Sequence, residues 1–360
     1  MQNIGVCVVL LVKPYKCHVF RQNCANFTAN CLANFKLTID FGFAVVYNFT
    51  NKTRRIFAMK QSQFTSHDGK KVALYVWDDV QDPKAVVKIA HGMAEHSARY
   101  DHFAQYLNSK GFIVVMNDHR GHGLTAEPDS LGYEEGDMWL NNVNDQIALI
   151  DYCEQTYNLP IIMMGHSYGS FITQAVMEEY PPNVSGYILC GSNYMKDISF
   201  DLCGMIAKSM CKNKGGRYPA QMIVNLSFKM YEKKFPGTSA WLNRDADEVK
   251  KYNDDPMCGY VCSANFYRTF MGGISHLYKR YKYGLIENKP LLIIAGSQDP
   301  VGNYGKGVKK LEKFYLKKVG LTDVTTHLYD GARHEILNEP LCKQQVYDDV
   351  ANWINKVLQK

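Results

Sequence analysis

Ser167 lies at the centre of a Gly-x-Ser-x-Gly motif formed by residues 165 to 169. An apolar run at positions 160 to 164 precedes this motif, and a helix-compatible segment at 170 to 180 follows it. This arrangement is typical of a nucleophile elbow, a strained strand-to-helix turn that exposes the serine hydroxyl, with Gly165 and Gly169 leaving room for two backbones. A Gly/Ser turn without chemical function would have the same spacing. The flanking strand and helix favour a serine nucleophile, as in serine hydrolases.

A serine hydroxyl is a weak nucleophile until a base takes its proton and a carboxylate orients that base. When the serine lies on an elbow, the carboxylate and then the histidine follow along the chain, each after a late strand. Asp299 lies on a turn after the apolar run at 290 to 295, and His334 follows the predicted last strand at 324 to 329. We therefore assign Ser167 as nucleophile, His334 as general base and then acid, and Asp299 as the carboxylate that fixes the histidine tautomer.

Each of the two candidate partners of Ser167 could also have a role without catalysis. Asp299 precedes a proline and could simply initiate a turn, and His334 could be a surface histidine in a chain that has eleven. Asp330 is a rival carboxylate, but it lies four residues before the candidate base, where it more simply ends a strand. The chain order of the three residues, each at a strand end, favours the triad.

Acyl transfer also needs two backbone N–H groups that stabilise the developing oxyanion. The residue after the serine, Tyr168, supplies one, and the loop after an earlier strand supplies the other. The apolar run at 85 to 90 opens into His-Gly-Met-Ala-Glu-His at positions 91 to 96, where Gly92 lets the backbone turn the amide of Met93 inward. We predict Met93 and Tyr168 as the donors, and His91 and His96 as side chains that pin the loop by hydrogen bonds.

Several separated segments carry a family resemblance. They are the motif that begins at position 91 and runs to Tyr100, Asp-His-Arg-Gly-His-Gly at 118 to 123, and Asp-Asp-Pro-Met-Cys-Gly at 254 to 259. With the elbow, they resemble the monoacylglycerol lipase and lysophospholipase branch of the α/β-hydrolases, often grouped with the serine aminopeptidase-like hydrolases. The similarity runs from about Met59 to the C-terminus. It implies hydrolysis of monoacylglycerols, lysophospholipids or other esters. One departure is Met93-Ala94, where many members have a small residue and then glycine, and this change would reshape the acyl pocket.

The elements that position these residues follow an alternating pattern. A chain of 360 residues with 46% hydrophobic residues suits one domain with an insertion. Apolar strands are predicted near 72–78, 85–91, 112–117, 160–165, 186–190, 290–295 and 324–329, and helices at 100–109, 141–157 and 343–358. The pattern predicts an α/β-hydrolase fold, a mainly parallel sheet with helices on both faces, with its core at 59–193 and 285–360. Ligands bind beyond the carboxyl ends of such strands, where the triad is placed.

Residues 194–284 break the alternation, because they contain no convincing buried strand and are rich in methionine and aromatic residues. We predict a helical cap (lid) whose apolar side chains pack mostly with each other and partly face the serine, which suits an acyl chain. Between positions 208 and 234 the cap has one acid, Glu232, and seven basic residues, namely Lys208, Lys212, Lys214, Arg217, Lys229, Lys233 and Lys234. A solvated helix face explains this charge. Transient contact with anionic lipid surfaces is the alternative, and it stays open.

Residues 1–58 carry seven Lys or Arg against one acid, Asp40. The apolar stretch at 4 to 12 is too short to span a bilayer, and it lacks the basic region and cleavage site of a signal peptide. We expect this N-terminal extension to be disordered or mispredicted, with Met59 as the true start. Seven cysteines lie outside it, and Cys258 and Cys262 have no histidine nearby. We therefore predict buried thiols in a reducing cytoplasm and no metal site.

The sequence has no phosphate-binding loop, no dinucleotide fingerprint and no basic-aromatic pattern for nucleic acid, so we predict neither a cofactor nor a nucleic-acid partner. The expected function is hydrolysis of lipid-type carboxylic esters, monoacylglycerol or lysophospholipid, through an acyl-enzyme. One alternative is an aminopeptidase or amidase on the same triad. A non-catalytic ligand-binding protein on a hydrolase scaffold is the other, although such proteins typically lose a triad member. Acyl-chain length, head group and oligomeric state are not determined by this pattern.

Overall fold

The computed structural model describes residues 9–12, 16–19 and 59–360, apart from positions 128, 180–182, 197 and 228. Contacts divide the chain into two units, Met1–Ile56 and Phe57–Lys360. In the first unit, β1 (Val9–Val12) and β2 (Lys16–Val19) form an antiparallel pair. The other residues of the N-terminal extension lie outside the described part of the chain. That this extension is disordered or mispredicted therefore stays a prediction.

The second unit is built on an eight-stranded sheet with the order β10-β9-β8-β7-β5-β6-β4-β3. Its strands are β3 (Lys60–Thr65), β4 (Lys71–Trp77), β5 (Ala85–Ala90), β6 (Phe112–Asn117), β7 (Ile161–His166), β8 (Val184–Cys190), β9 (Leu291–Gly296) and β10 (Val324–Tyr329). The six strands β5 to β10 are parallel, and β4 is antiparallel to both of its neighbours, β3 and β6. Every residue of β5, β6, β7 and β9 is buried, as expected for strands covered on both faces.

Helices lie on both faces of this sheet, and further helices form the insertion between β8 and β9. They are α1 (Asp101–Ser109), α2 (Met138–Tyr157), α3 (Tyr168–Glu178), α4 (Ile198–Lys214), α5 (Gln221–Ser227), α6 (Lys229–Lys234), α7 (Ala246–Asp254), α8 (Ala264–Leu277), α9 (Arg280–Tyr283), α10 (Lys306–Phe314) and α11 (Lys343–Val357). The side chains of β7 alternate between the faces, because Ile161 and Met163 pack with α2, α3 and α10, while Ile162 and Met164 pack with α1 and α11. The α/β-hydrolase architecture predicted from the sequence is confirmed.

The chain between β8 and β9 consists of the six helices α4 to α9, and its described residues contain no strand of the sheet. Helix α8 packs against α2 and α3, so Phe266 and Phe270 belong to the same buried cluster as Tyr168 and Phe171 of the core. Helices α4 to α6 instead carry large apolar side chains that are exposed to solvent. Among the described residues, no helix combines the length and apolar character that crossing a membrane requires.

Candidate active site

Ser167 occupies the sharp turn between β7 and α3, with φ 52° and ψ −119°. Positive φ is rare for a residue with a side chain, and such strain recurs at functional sites. The turn is possible only because the residues two positions before and after Ser167 are glycines. A Cβ atom on Gly169 would lie 2.2 Å from the carbonyl oxygen of Ala90, and one on Gly165 would lie 2.2 Å from the carbonyl oxygen of Gly169. The local structure therefore has the strained geometry of a nucleophile elbow.

His334 and Asp299 are brought together behind the carboxyl ends of β9 and β10. His334 Nδ1 donates to Asp299 Oδ2 at 2.9 Å, and both side chains are buried. Asp299 is held in turn by the backbone N–H of Val301, which donates to Oδ1 at 2.8 Å. Burial lowers the pKa of His334, but the charge and hydrogen bond of Asp299 outweigh burial and raise that pKa above its usual value. The pair fixes the imidazole with Nδ1 protonated and leaves Nε2 as the basic nitrogen.

The rival carboxylate and a second histidine are also located by the structure. Asp330 is exposed, and its Oδ1 accepts a hydrogen bond from Ser297 Oγ at 3.2 Å, so it is not the partner of His334. His166, which the sequence analysis did not single out, lies with its ring centroid 4.8 Å from that of His334. Burial, with a further contribution from His334, lowers the pKa of His166 to about 4. It is therefore neutral at pH 7 and adds no charge that opposes protonation of His334.

The loop after β5 carries the predicted oxyanion donor Met93. Met93 and Tyr168 border the same cavity as Ser167 and His334. On one side of Met93, the backbone N–H of Gly92 donates to Glu95 Oε1 at 2.5 Å. On the other side, Ala94 has φ 53°, a left-handed conformation that turns the chain sharply.

A buried ion-pair network supports this loop, and the sequence analysis did not identify it. Arg99 donates to Glu95 Oε2 at 2.6 Å and to both carboxylate oxygens of Glu335, at 2.8 and 3.0 Å. Burial raises the pKa of Glu95, but the Arg99 guanidinium, two nearby histidines and the Gly92 N–H together outweigh burial and lower that pKa to about 2. We refer to residues 91–96 as the oxyanion loop. Because Glu335 follows His334 directly, Arg99 links the oxyanion loop to the loop that carries His334, the predicted base.

The histidines of the oxyanion loop are hydrogen-bonded as expected. The backbone N–H of His119 donates to His91 Nε2 at 2.9 Å, and His96 Nε2 is hydrogen-bonded to Asp255 Oδ2 at 2.8 Å. His96, Asp255 and Cys258 also place their polar atoms within 4.8 Å of one another, as metal ligands would. Within this cluster, His96 Nε2 is already hydrogen-bonded to Asp255, and burial raises the pKa of the Cys258 thiol. The cluster fits a contact between cap and loop better than a metal site.

A cavity of about 590 Å³ is bordered by Ser167 and His334 on one side and by helices α4 to α8 on the other. Its volume falls within the range usual for small-molecule sites. Most of its wall is apolar, and most of its lining residues come from the chain between β8 and β9, including Phe200, Ile206, Val224, Phe270 and Met271. The ring of Trp241 lies over His334, with 5.2 Å between centroids and a tilt of 39°. The arrangement can hold an apolar acyl chain with its carbonyl group at the serine.

Comparisons with known proteins agree with this geometry. Residues 81–341 match the hydrolase family described as serine aminopeptidase, S33. A monoacylglycerol lipase of Mycolicibacterium smegmatis is 28% identical over 299 residues, which cover 82% of this chain and 96% of that protein. Human monoglyceride lipase is 26% identical over 292 residues, which cover 80% of this chain and 88% of that protein. A solved structure of a lipase in its open form superposes with a TM-score of 0.76 at 28% identity, covering 84% of this chain and all of that one.

The family match extends from the loop before β5 to the loop after His334, so it includes the elbow, the oxyanion loop and the whole cap. It spans well over half of the chain. The resemblance identified from the sequence motifs is confirmed. This chain belongs to the serine aminopeptidase S33 family of α/β-hydrolases and is a serine hydrolase of carboxylic esters.

Proposed function

We propose that this chain hydrolyses single-chain lipid esters, monoacylglycerols or lysophospholipids, through an acyl-enzyme on Ser167. The observation that carries the proposal is that Ser167, on a strained elbow, and His334, paired with buried Asp299, border one large apolar cavity. The relatives named as monoacylglycerol and monoglyceride lipases support the same substrate class.

In the proposed acylation step, Ser167 Oγ attacks the ester carbonyl carbon while His334 Nε2 takes the hydroxyl proton. Asp299 stabilises the imidazolium that forms, and the N–H groups of Met93 and Tyr168 stabilise the oxyanion. His334 then gives the proton to the departing alcohol, which is glycerol or the glycerol-bearing head group. A water molecule, activated by the same imidazole, attacks the acyl-enzyme and releases the fatty acid.

The two buried carboxylates that border the cavity offer no binding site for the amino group of a peptide substrate. An aminopeptidase needs an unpaired carboxylate to bind the α-ammonium group of its substrate. Two buried carboxylates border this cavity, Glu95 and Glu335, and both are already paired with Arg99. Removing Arg99 from either would leave a buried charge without a partner, which is strongly unfavourable. Neither of these two carboxylates is therefore available to an amino group, and only Glu232 of α6, a half-buried carboxylate that also lines the cavity, could bind one.

We further propose that the cap contacts lipid surfaces through an apolar rim. The rim consists of five side chains that are each about half exposed or more, Leu202, Met205, Met222, Leu226 and Met230. Three of them also line the cavity, so the rim borders the entrance that a substrate chain would use.

The basic residues of the cap contribute less than their number suggests. Lys214 and Lys234 lie over the rings of Tyr218 and Tyr304, at 4.3 and 3.4 Å from the centroids, and Arg217 stacks on a third aromatic ring.

The apolar rim is tested with Met205→Asp, which replaces one of its side chains with a charged one. We expect this variant to lower turnover of a substrate in anionic vesicles several-fold. Turnover of a soluble short-chain ester should stay unchanged, because Met205 does not line the cavity. Equal rates for the two proteins on vesicles would contradict surface contact.

We retain the cytoplasm as the proposed location. Seven cysteines in the described residues are free thiols, a pattern favoured by a reducing compartment. Imaging of a fluorescent fusion of the full chain would test this, and a secreted fusion would contradict it.

The central test is Ser167→Ala, compared with Ser109→Ala, which replaces an exposed serine on α1. Ser167→Ala should abolish both hydrolysis of a short p-nitrophenyl ester and labelling by a fluorophosphonate, with unchanged circular dichroism. Ser109→Ala should retain both activities. Residual ester hydrolysis by Ser167→Ala would refute the assigned nucleophile, and failure of the native protein to label would favour a non-catalytic binding protein.

The substrate class is tested with the native protein on mono-, di- and triacylglycerols, lysophospholipids and aminoacyl amides. We expect the highest kcat/KM on the monoacyl lipids, because one acyl chain fits the apolar cavity. A preference for an aminoacyl amide would instead support the aminopeptidase alternative.

A further inference from the structure

The end of α7 and the turn that follows it are hydrogen-bonded to the oxyanion loop. The carbonyl oxygen of Ala94 accepts from the hydroxyl of Tyr252 at 3.0 Å and from the backbone N–H of Gly259 at 3.0 Å. His96, two residues further along the loop, is hydrogen-bonded to Asp255 at 2.8 Å. We refer to Tyr252, Asp255 and Gly259 as the clasp. Three bonds from the clasp thus fix a stretch of only three loop residues.

The clasp acts on a residue whose backbone conformation is unfavourable. Ala94 has φ 53°, where its Cβ atom crowds the carbonyl oxygen, and only glycine adopts this conformation without penalty. Without other contacts, the loop would tend to relax toward a right-handed conformation at Ala94. That change would rotate the adjoining backbone, including the amide of Met93. The two bonds to the Ala94 carbonyl oppose this relaxation.

Met93 is consequently held from both sides. Before it, the N–H of Gly92 is bound by Glu95, and after it, the carbonyl of Ala94 is bound by the clasp. Tyr252 is itself well fixed, because it is buried and the Arg99 guanidinium lies 4.9 Å from the centre of its ring. Burial raises the pKa of Tyr252, so its hydroxyl remains a donor throughout the working pH range.

We propose that Tyr252 is a positioning residue for the oxyanion hole, whose hydroxyl keeps the amide of Met93 aimed at the reacting carbonyl through its bond to Ala94. This inference rests on the proposed function, in which Met93 supplies one oxyanion donor. It also divides the cap by role. The end of α7 belongs to the catalytic scaffold, and any opening movement that admits substrate takes place in α4 to α6.

The first test is Tyr252→Phe, which removes only the hydroxyl. Losing an oxyanion donor outright lowers kcat by about 10²- to 10³-fold, so misaiming one donor should cost less, about tenfold, with KM nearly unchanged. The matched control is Tyr347→Phe, because the buried Tyr347 hydroxyl also donates to a backbone carbonyl, that of Leu337, at 2.9 Å. The control variant should keep its kcat.

A sulfur-substituted substrate separates positioning from a general loss of structure. Sulfur accepts hydrogen bonds poorly, so hydrolysis of a p-nitrophenyl thionoester depends less on the oxyanion hole than hydrolysis of the matching oxygen ester. Tyr252→Phe should therefore lose about tenfold on the oxygen ester and clearly less on the thionoester. Equal losses on both substrates, or no loss on either, would overturn the positioning role.

A second background tests whether Tyr252 acts through Ala94. Glycine adopts positive φ freely, so in an Ala94→Gly background the loop needs less support from the clasp. There, Tyr252→Phe should lower kcat only about threefold or less. The same tenfold loss in both backgrounds would overturn the proposed route.

Active-site titration with a fluorophosphonate distinguishes this proposal from the proposed function. If the native protein does not label, the assignment of Ser167 fails, and the positioning role fails with it. If the native protein and Tyr252→Phe label to the same extent while their oxygen-to-thiono rate ratios are identical, only the positioning role is refuted.

Discussion

Lys88 lies in the middle of β5, completely buried, and its Nζ has no hydrogen-bond partner among the described residues. Burial lowers its pKa from 10.5 to about 7, although the Cys153 thiol and the Asp145 carboxylate oppose this change. An amine that must lose its proton or its solvation in the folded state destabilises that state. We therefore expect Lys88→Met, which keeps an unbranched side chain of similar length, to stabilise the protein.

The magnitude and its sign follow from proton linkage. Between about pH 7 and pH 10, the unfolded chain holds a proton on Lys88 that the folded protein lacks, so the stability of the native protein rises with pH in this window. Each pH unit corresponds to about 1.4 kcal/mol. The penalty from Lys88 is roughly 4 kcal/mol at pH 7 and roughly 2 kcal/mol at pH 9. The advantage of Lys88→Met should therefore shrink by about 2 kcal/mol over this interval.

Urea unfolding of both proteins at pH 7 and pH 9 measures this difference in the free energy of unfolding. The control is Lys84→Met, because Lys84 precedes the same strand and is exposed. This control should change stability little at either pH. If Lys88→Met is less stable than the native protein, or if its advantage is the same at both pH values, the amine is solvated or ion-paired in the folded state and the reasoning is refuted.

Two further predictions concern the triad and the elbow. Asp299→Asn removes the charge that raises the pKa of His334, so kcat should fall about 10⁴-fold, and the rise of kcat/KM with pH should move to lower pH; an unmoved pH profile would contradict the pairing. Gly169→Ala places a Cβ atom 2.2 Å from the Ala90 carbonyl oxygen, so it should abolish fluorophosphonate labelling and lower the melting temperature. Gly272→Ala on α8 meets no atom within 4 Å and should stabilise the fold by about 0.5–1 kcal/mol in the same thermal unfolding assay; a comparable loss in both glycine variants would contradict the steric argument.

The sequence predicted the central strands well because their residues are buried on both faces. β5, β6, β7 and β9 are mostly apolar runs, interrupted in β5 only by Lys88, and their observed bounds differ from the expected ones by one residue at most. β3 is an edge strand with only Phe64 buried, so it leaves no apolar run in the sequence. Helix α10 was missed, because its apolar side is short and lies among lysines. Elements at the margin of the core leave a weaker pattern than those at its centre.

For the site, residue types and strand ends were enough to bring Asp299 and His334 together, since the carboxyl ends of parallel strands meet at one edge of the sheet. The supporting contacts were not predictable in this way. The pairs Arg99–Glu335 and Tyr252–Ala94 join residues 236 and 158 positions apart, and neither pair follows from a periodic pattern or a local motif. They depend on how the cap and the last loop pack over the oxyanion loop.

The position of Trp241 over His334 has a practical consequence. Protonated imidazole quenches indole emission more strongly than neutral imidazole does, so the fluorescence of Trp241 should follow the protonation of its neighbour. In the proposed mechanism, each formation and breakdown of the acyl-enzyme moves a proton on or off that ring. Turnover of an unlabelled natural lipid should therefore be visible in a stopped-flow instrument through an optical signal that the protein itself provides.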